Sequence, residues 1–180
     1  KECLEILVAR GKQPSVQRNQ AVNKASGDWI YFLDDDSVPE PDNLTRVAPH
    51  MEKAQNWMIG GPNICPLEAP QREKNFARVM GNSLAFGPSS ARYRPTGQVR
   101  PSSEKELILC NLLVRRQAFL EAGGFDEALY PNEENALMDA MLQNGGTLLY
   151  DPEFVVYRHP RPTWGAFCRM LTNYGQETEV

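Results

Sequence analysis

Positive charge is scarce in this sequence, and so is histidine. Nineteen Lys and Arg face 23 Asp and Glu over 180 residues, a formal net charge of −4. That balance leaves no basic face for gripping a nucleic-acid backbone, so nucleic acid is excluded as a partner. The two histidines, His50 and His159, and the four cysteines, Cys3, Cys65, Cys110 and Cys168, form no CxxC pair and no zinc-binding spacing. Nothing in these spacings calls for a disulfide, and the cysteines read as reduced thiols of a cytoplasmic protein. No apolar run approaches the roughly 18 residues of a membrane span, and no signal-peptide pattern opens the chain. What is present is ordinary for a globular protein. The chain is 41% hydrophobic and 23% charged, and residues 1–180 are long enough for one domain with a substantial core.

Apolar runs alternate with helix-forming stretches. "CLEILVA" (3–9) and "WIYFL" (29–33) read as strands, with "SVQRNQAVNKA" (15–25) as a helix between them. Unbroken apolar strands separated by helices suit a sheet covered on both faces, so an α/β fold with a mostly parallel sheet is expected. A helix over 41–55 is interrupted by Pro49. Residues 57–64 read as a strand, 71–86 as a helix and 107–114 as a strong strand. Segments 115–124 and 132–146 read as helices stopped by glycine, followed by the short strands "TLLY" and "FVVYRH". In "PTWGAFCRMLTNYG", Trp164, Phe167, Met170 and Leu171 follow helical spacing, a face for the core or for a membrane surface. Residues 87–105, "GPSSARYRPTGQVRPSSEK", stand apart, with almost no apolar content. A loop of that length is either a mobile surface segment or a lid over a substrate.

The strand 29–33 runs into "DDD". Adjacent carboxylates at Asp34, Asp35 and Asp36 repel, and a bound cation is the simplest remedy. In open α/β sheets ligands bind beyond the carboxyl ends of strands, where this triplet sits. Hard oxygen donors favour Mg2+, Mn2+ or Ca2+. An EF-hand is excluded, because counting from Asp34 its glycine position holds Pro39 and its bidentate-glutamate position Thr45. The plainer alternative has Asp35 or Asp36 capping a turn. A second acidic pair, Glu133 and Glu134 in "PNEEN" (131–135), opens a helix behind Asn132, where the macrodipole alone favours acids. Helical phase puts Glu134 near the centre of the stripe Leu137, Met138, Met141 and Leu142, with Glu133 well to one side. Glu134 is therefore expected to face a cleft. His159, which closes "FVVYRH", reads either as structural or as a manganese ligand near the aspartates.

Taken in order, these stretches resemble the family 2 glycosyltransferases. "ASGDWIYFLDDDSVPEPDNL" is similar to the family's strand and DXD motif. "LLVRRQAFLEAGGFDEALYPNEENALMDAMLQNGGTLLYDPEFVVYRH" is similar to its second half, with "GGFDE", an acidic motif opening a helix, and a strand ending in histidine. The resemblance runs from about Gln17 to His159 and implies a GT-A fold, a Rossmann-like α/β/α sandwich. It implies a nucleotide-diphosphate sugar as donor and a divalent cation, Mn2+ or Mg2+, as cofactor. Asp36 and His159 would hold the metal, with Asp34, Asp35 and Arg18 near the ribose and diphosphate. Glu134, beside Glu133, inherits the role of catalytic base, and the reaction would invert the anomeric carbon.

The match departs from the family in three places, one of them the family's acid after its second strand, which "LVARGKQPS" does not offer. The acidic motif reads Glu133-Glu134-Asn135-Ala136 rather than Glu-Asp with a further acid, so acceptor geometry is in question. The family's opening strand and its following helix fall outside the match, so an N-terminally incomplete domain is expected. Acceptors stay open among glycans, lipid-linked carriers and small molecules, in the cytoplasm or at the inner face of a membrane. Two alternatives remain. One is a degenerate GT-A domain that only binds nucleotide or glycan. The other is a haloacid-dehalogenase-type phosphatase, for which "FLDDDSV" fits but the later motifs do not.

Overall fold

The computed structural model of the chain describes residues 4–129 and 132–176. Cys3 and Pro131, singled out above, lie outside the described residues. Helix α1, Pro14–Lys24, starts on a proline, where a missing N–H is harmless, and leads to strand β1, Trp29–Leu33. Then follow β2 (Val38–Pro39), α2 (Asn43–Met51), β3 (Asn56–Gly60), β4 (Asn63–Ile64), α3 (Gln71–Met80), α4 (Ser83–Phe86) and β5 (Arg100–Pro101). The second half holds β6 (Asn111–Arg115), α5 (Arg116–Glu121), α6 (Glu133–Gln143), β7 (Thr147–Tyr150), β8 (Val156–Tyr157) and α7 (Trp164–Gln176).

A five-stranded sheet runs in the order β1-β6-β3-β7-β5, and a three-stranded one in the order β2-β8-β4. The α/β class stands, but the larger sheet is not mostly parallel. Among the described residues only β3 and β7 pair parallel in it, while β1–β6, β3–β6 and β5–β7 are antiparallel. Burial explains the difference. Met58, Leu112, Val114 and Leu148 pack on one face with Phe119, Leu137 and Met141, whereas Ile59, Leu113 and Leu149 pack on the other with Val47 and Phe154. A strand buried on both faces is a continuous apolar run whichever way its neighbours point.

Several boundaries differ from the sequence reading. Residues 4–10 pair with no described strand, and Leu4, Ile6 and Val8 are 74%, 79% and 80% exposed. Glu5 there accepts hydrogen bonds from the Ser26 N–H and hydroxyl at 2.9 and 3.0 Å. Pro49 sits inside α2, near its end, instead of interrupting it. Segment 57–64 splits at Gly60-Gly61-Pro62, where the chain leaves one sheet for the other; a Cβ on Gly61 would overlap the carbonyl oxygens of Phe154 and Asp151. Segment 71–86 breaks at Gly81, and the Asn82 side chain caps α4 by accepting from the Leu84 N–H at 2.9 Å. Residues 87–105 are not structureless: they contain a 3-10 helix, Gly87–Arg92, and β5.

The apolar face of α7 packs on the protein, with Phe167 stacked on Phe76 of α3 at 4.2 Å between ring centres. No helix among the described residues is long and apolar enough to cross a membrane. Among the described residues Cys65, Cys110 and Cys168 are free thiols.

Candidate active site

The turn after β1 carries Asp34, Asp35 and Asp36 and is closed by the Ser37 N–H donating to the Asp34 carbonyl at 3.0 Å. Two guanidinium groups meet these acids. Arg158 directly follows β8, a strand held between β2 and β4, and its own N–H donates to the Ile64 carbonyl at 3.0 Å. Its side chain places Nη1 2.9 Å from Asp34 Oδ2 and Nε 2.6 Å from Asp36 Oδ1. Arg18, on α1, places Nη2 3.6 Å from Asp34 Oδ1 and Nη1 3.2 Å from Glu133 Oε1. Two acidic groups almost a hundred residues apart in sequence therefore meet across one arginine. Asp35 is exposed. The repulsion within the triplet is answered by arginines, so it does not by itself demand a metal ion, contrary to the sequence argument.

The glutamate pair is turned the other way from the helical-phase reading. Glu133 is 2% exposed, and its Oε2 is buried without a hydrogen-bond partner. Glu134 keeps 20% of its side chain open to solvent. Glu133 continues the buried i, i+4 row of Leu137 and Met141, and Arg18 of α1 meets its carboxylate. Glu134 is met by Arg92, from the 3-10 helix, whose Nη1 lies 4.0 Å from Glu134 Oε1. Arg92 Nη2 also donates to Asn135 Oδ1 at 3.2 Å and to the Glu104 carbonyl. Burial pushes the Glu134 carboxyl above the ordinary glutamate range; Arg92 opposes that shift and Glu133 adds to it. Burial likewise pushes the nearby Cys110 thiol up to about 12, which disqualifies it as a nucleophile.

His159 stands apart from the aspartates. Its Nδ1 lies 2.7 Å from Glu73 Oε2 on α3, and no hydrogen bond joins it to Asp34, Asp35 or Asp36. With Arg158, Arg161, Cys65 and Tyr93 it lines a cleft beside the triplet. Arg158, Arg92 and Glu73 were not singled out from sequence. Arg158 adjoins His159, and Arg92 lies in the segment already marked as unusual; no comparable signal pointed to Glu73.

Among the described residues no three His, Cys, Asp or Glu side chains gather as a cation cage. A smaller donor set suffices for Mg2+ or Mn2+, however, when substrate phosphates complete the shell. Asp34 and Asp36 already address a single cationic group, the Arg158 guanidinium. The donors present fit the group.

Known proteins resemble this chain in sequence and in fold. The chain is 27% identical over 143 residues to the pre-mycofactocin glycosyltransferase of Mycobacterium tuberculosis, covering 78% of this chain and 29% of that protein. It is 28% identical over 176 residues to the succinoglycan biosynthesis protein ExoO of Rhizobium meliloti, covering 92% of this chain and 47% of that one. It thus spans under a third to about half the length of these relatives. Among solved structures, the mannosyltransferase PcManGT from Pyrobaculum calidifontis, in complex with GDP-Man and Mn2+, superposes with a TM-score of 0.58 at 17% identity. That likeness covers 93% of this chain and 42% of PcManGT, and it establishes the fold. The profile of glycosyl transferase family 2 matches residues 4–121, and the chain belongs to that family.

Proposed function

We propose that this chain moves a glycosyl group from a nucleoside-diphosphate sugar to an acceptor hydroxyl, inverting the anomeric carbon, with Glu134 as the general base. The observation that carries the reading is the Arg18 bridge, which brings the aspartate triplet and the glutamate pair to one place. Nucleotide-sugar chemistry is supported by family membership, and a cation by the PcManGT complex, which holds GDP-Man and Mn2+. Asp36 and His159 would hold the divalent cation, with Asp34, Asp35 and Arg18 toward the ribose and diphosphate. The carboxylate on Nδ1 of His159 is the partner that orients a ligating imidazole. When bound, the cation offsets the charge that builds on the departing diphosphate.

The residues of this chain do the rest. Glu134 accepts the acceptor's proton as the hydroxyl attacks, and its raised pKa makes it a stronger base than an exposed glutamate. Arg92 reaches Glu134 from segment 87–105, and that segment, closing over the reacting side, would help exclude water. The test uses a panel of nucleotide sugars, GDP-mannose included, with Mn2+. Glu134→Gln should still bind donor but transfer sugar at least about 100-fold more slowly. Transfer at the parental rate would remove Glu134 from the role. Binding of donor by the parent protein, with neither transfer nor hydrolysis, would favour a domain that only binds.

A further inference from the structure

We propose that Arg158 is a place-holding cation: it occupies Asp34 and Asp36 until a nucleoside diphosphate draws its guanidinium away, coupling divalent-cation binding at the triplet to nucleotide binding. This role deepens the glycosyltransferase reading above and rests on it. The guanidinium forks across both carboxylates, at 2.9 Å from Asp34 Oδ2 and 2.6 Å from Asp36 Oδ1. A divalent cation seated on Asp36 meets a positive charge at near-contact range, and like charges that close disfavour each other strongly even when partly screened. Arg158 has somewhere else to go. It also lines the adjoining cleft with His159 and Arg161, where a diphosphate would be met by basic groups. Phosphate oxygens accept a guanidinium fork as readily as carboxylates do. Asp36 freed of Arg158, joined by His159 and completed by phosphate oxygens, makes an adequate shell for Mn2+ or Mg2+. A shell built partly from phosphate would couple cation and nucleotide even without Arg158, so the discriminating quantity is the affinity for the cation alone.

Calorimetric titration of Mn2+ into the nucleotide-free chain, and into the chain saturated with GDP or with UDP, reads this directly. Arg158→Gln should bind Mn2+ alone about tenfold or more tightly than the parent, a conservative figure for removing one close positive charge. Arg158→Lys should stay near the parent. The gain in Mn2+ affinity on adding nucleotide should be larger in the parent than in Arg158→Gln. Arg158→Met repeats the measurement if the glutamine variant fails to melt cooperatively. Unchanged or weaker binding of Mn2+ alone by the uncharged variants overturns the place-holding role while leaving the glycosyltransferase reading intact. No Mn2+ binding to any form, with or without either nucleotide, overturns this role and the metal dependence together.

Discussion

At the scale of single residues, the site is supported from behind by a buried polar network. Asn111 is fully buried at the start of β6, and its Nδ2 donates to the carbonyls of Phe154 and Pro62. Its Oδ1 accepts from the Tyr31 hydroxyl at 2.7 Å, and that hydroxyl accepts from Asn43 Nδ2 at 3.3 Å. Asn43 also donates to the Val155 carbonyl at 2.7 Å. One amide therefore locks β1, which ends at the aspartates, to the segment that leads through β8 to Arg158. Asn111→Leu fills the space but leaves those carbonyls and the tyrosine hydroxyl short of partners. It should cost about 2–4 kcal/mol of stability, measured by urea unfolding at an unchanged m value. A loss near zero would mean that the segment is held by strand pairing alone.

At the scale of elements, the segment between α4 and β6 does more than connect them. Its sequence has little apolar content, which is why it reads as a loop, yet Ser90 and Ala91 are buried in it and Arg92 reaches Glu134, the proposed base, on α6. The sign of the electrostatics gives a pH prediction. The folded protein raises the Glu134 carboxyl above its reference value of 4.5, so the ionised base forms only at higher pH, and kcat/KM should rise through an acid limb centred above that value. Arg92 opposes the shift, so Arg92→Gln should move the limb further toward neutral pH. A pH profile of kcat/KM for both proteins checks it, and a limb that moves down or stays put counts against the pairing. Linkage runs in the same direction: a raised carboxyl makes the ionised form a cost to folding at pH above its folded pKa, and that cost disappears as the group protonates.

At the scale of the whole molecule, the acidic site gathers parts from α1, the end of β1, the 3-10 helix, α6 and the end of β8. A ligand spanning these parts binds the folded chain and not the unfolded one. GDP or UDP with Mn2+, at about 100 times its Kd, should add about 2.7 kcal/mol and raise the melting temperature by roughly 5–10 °C for a chain of this size. Scanning calorimetry across the nucleotides would also rank the bases, and a melting temperature unmoved by all of them would argue against nucleotide binding.

The sequence alone determined where β1 and β7 lie, because their apolar runs are bounded by polar residues, and it marked the acidic motifs at the ends of elements, because chemistry concentrates there. It could not determine strand direction, because burial on both faces writes the same continuous apolar run into parallel and antiparallel strands. Nor could it pair Arg18, Arg92 and Arg158 with their acids, or Glu73 with His159. Those partners are 16 to 124 positions apart, and only the folded chain sets which charges share a cleft. Nor could it tell that Glu133, which meets Arg18 of α1, is the buried member of the glutamate pair.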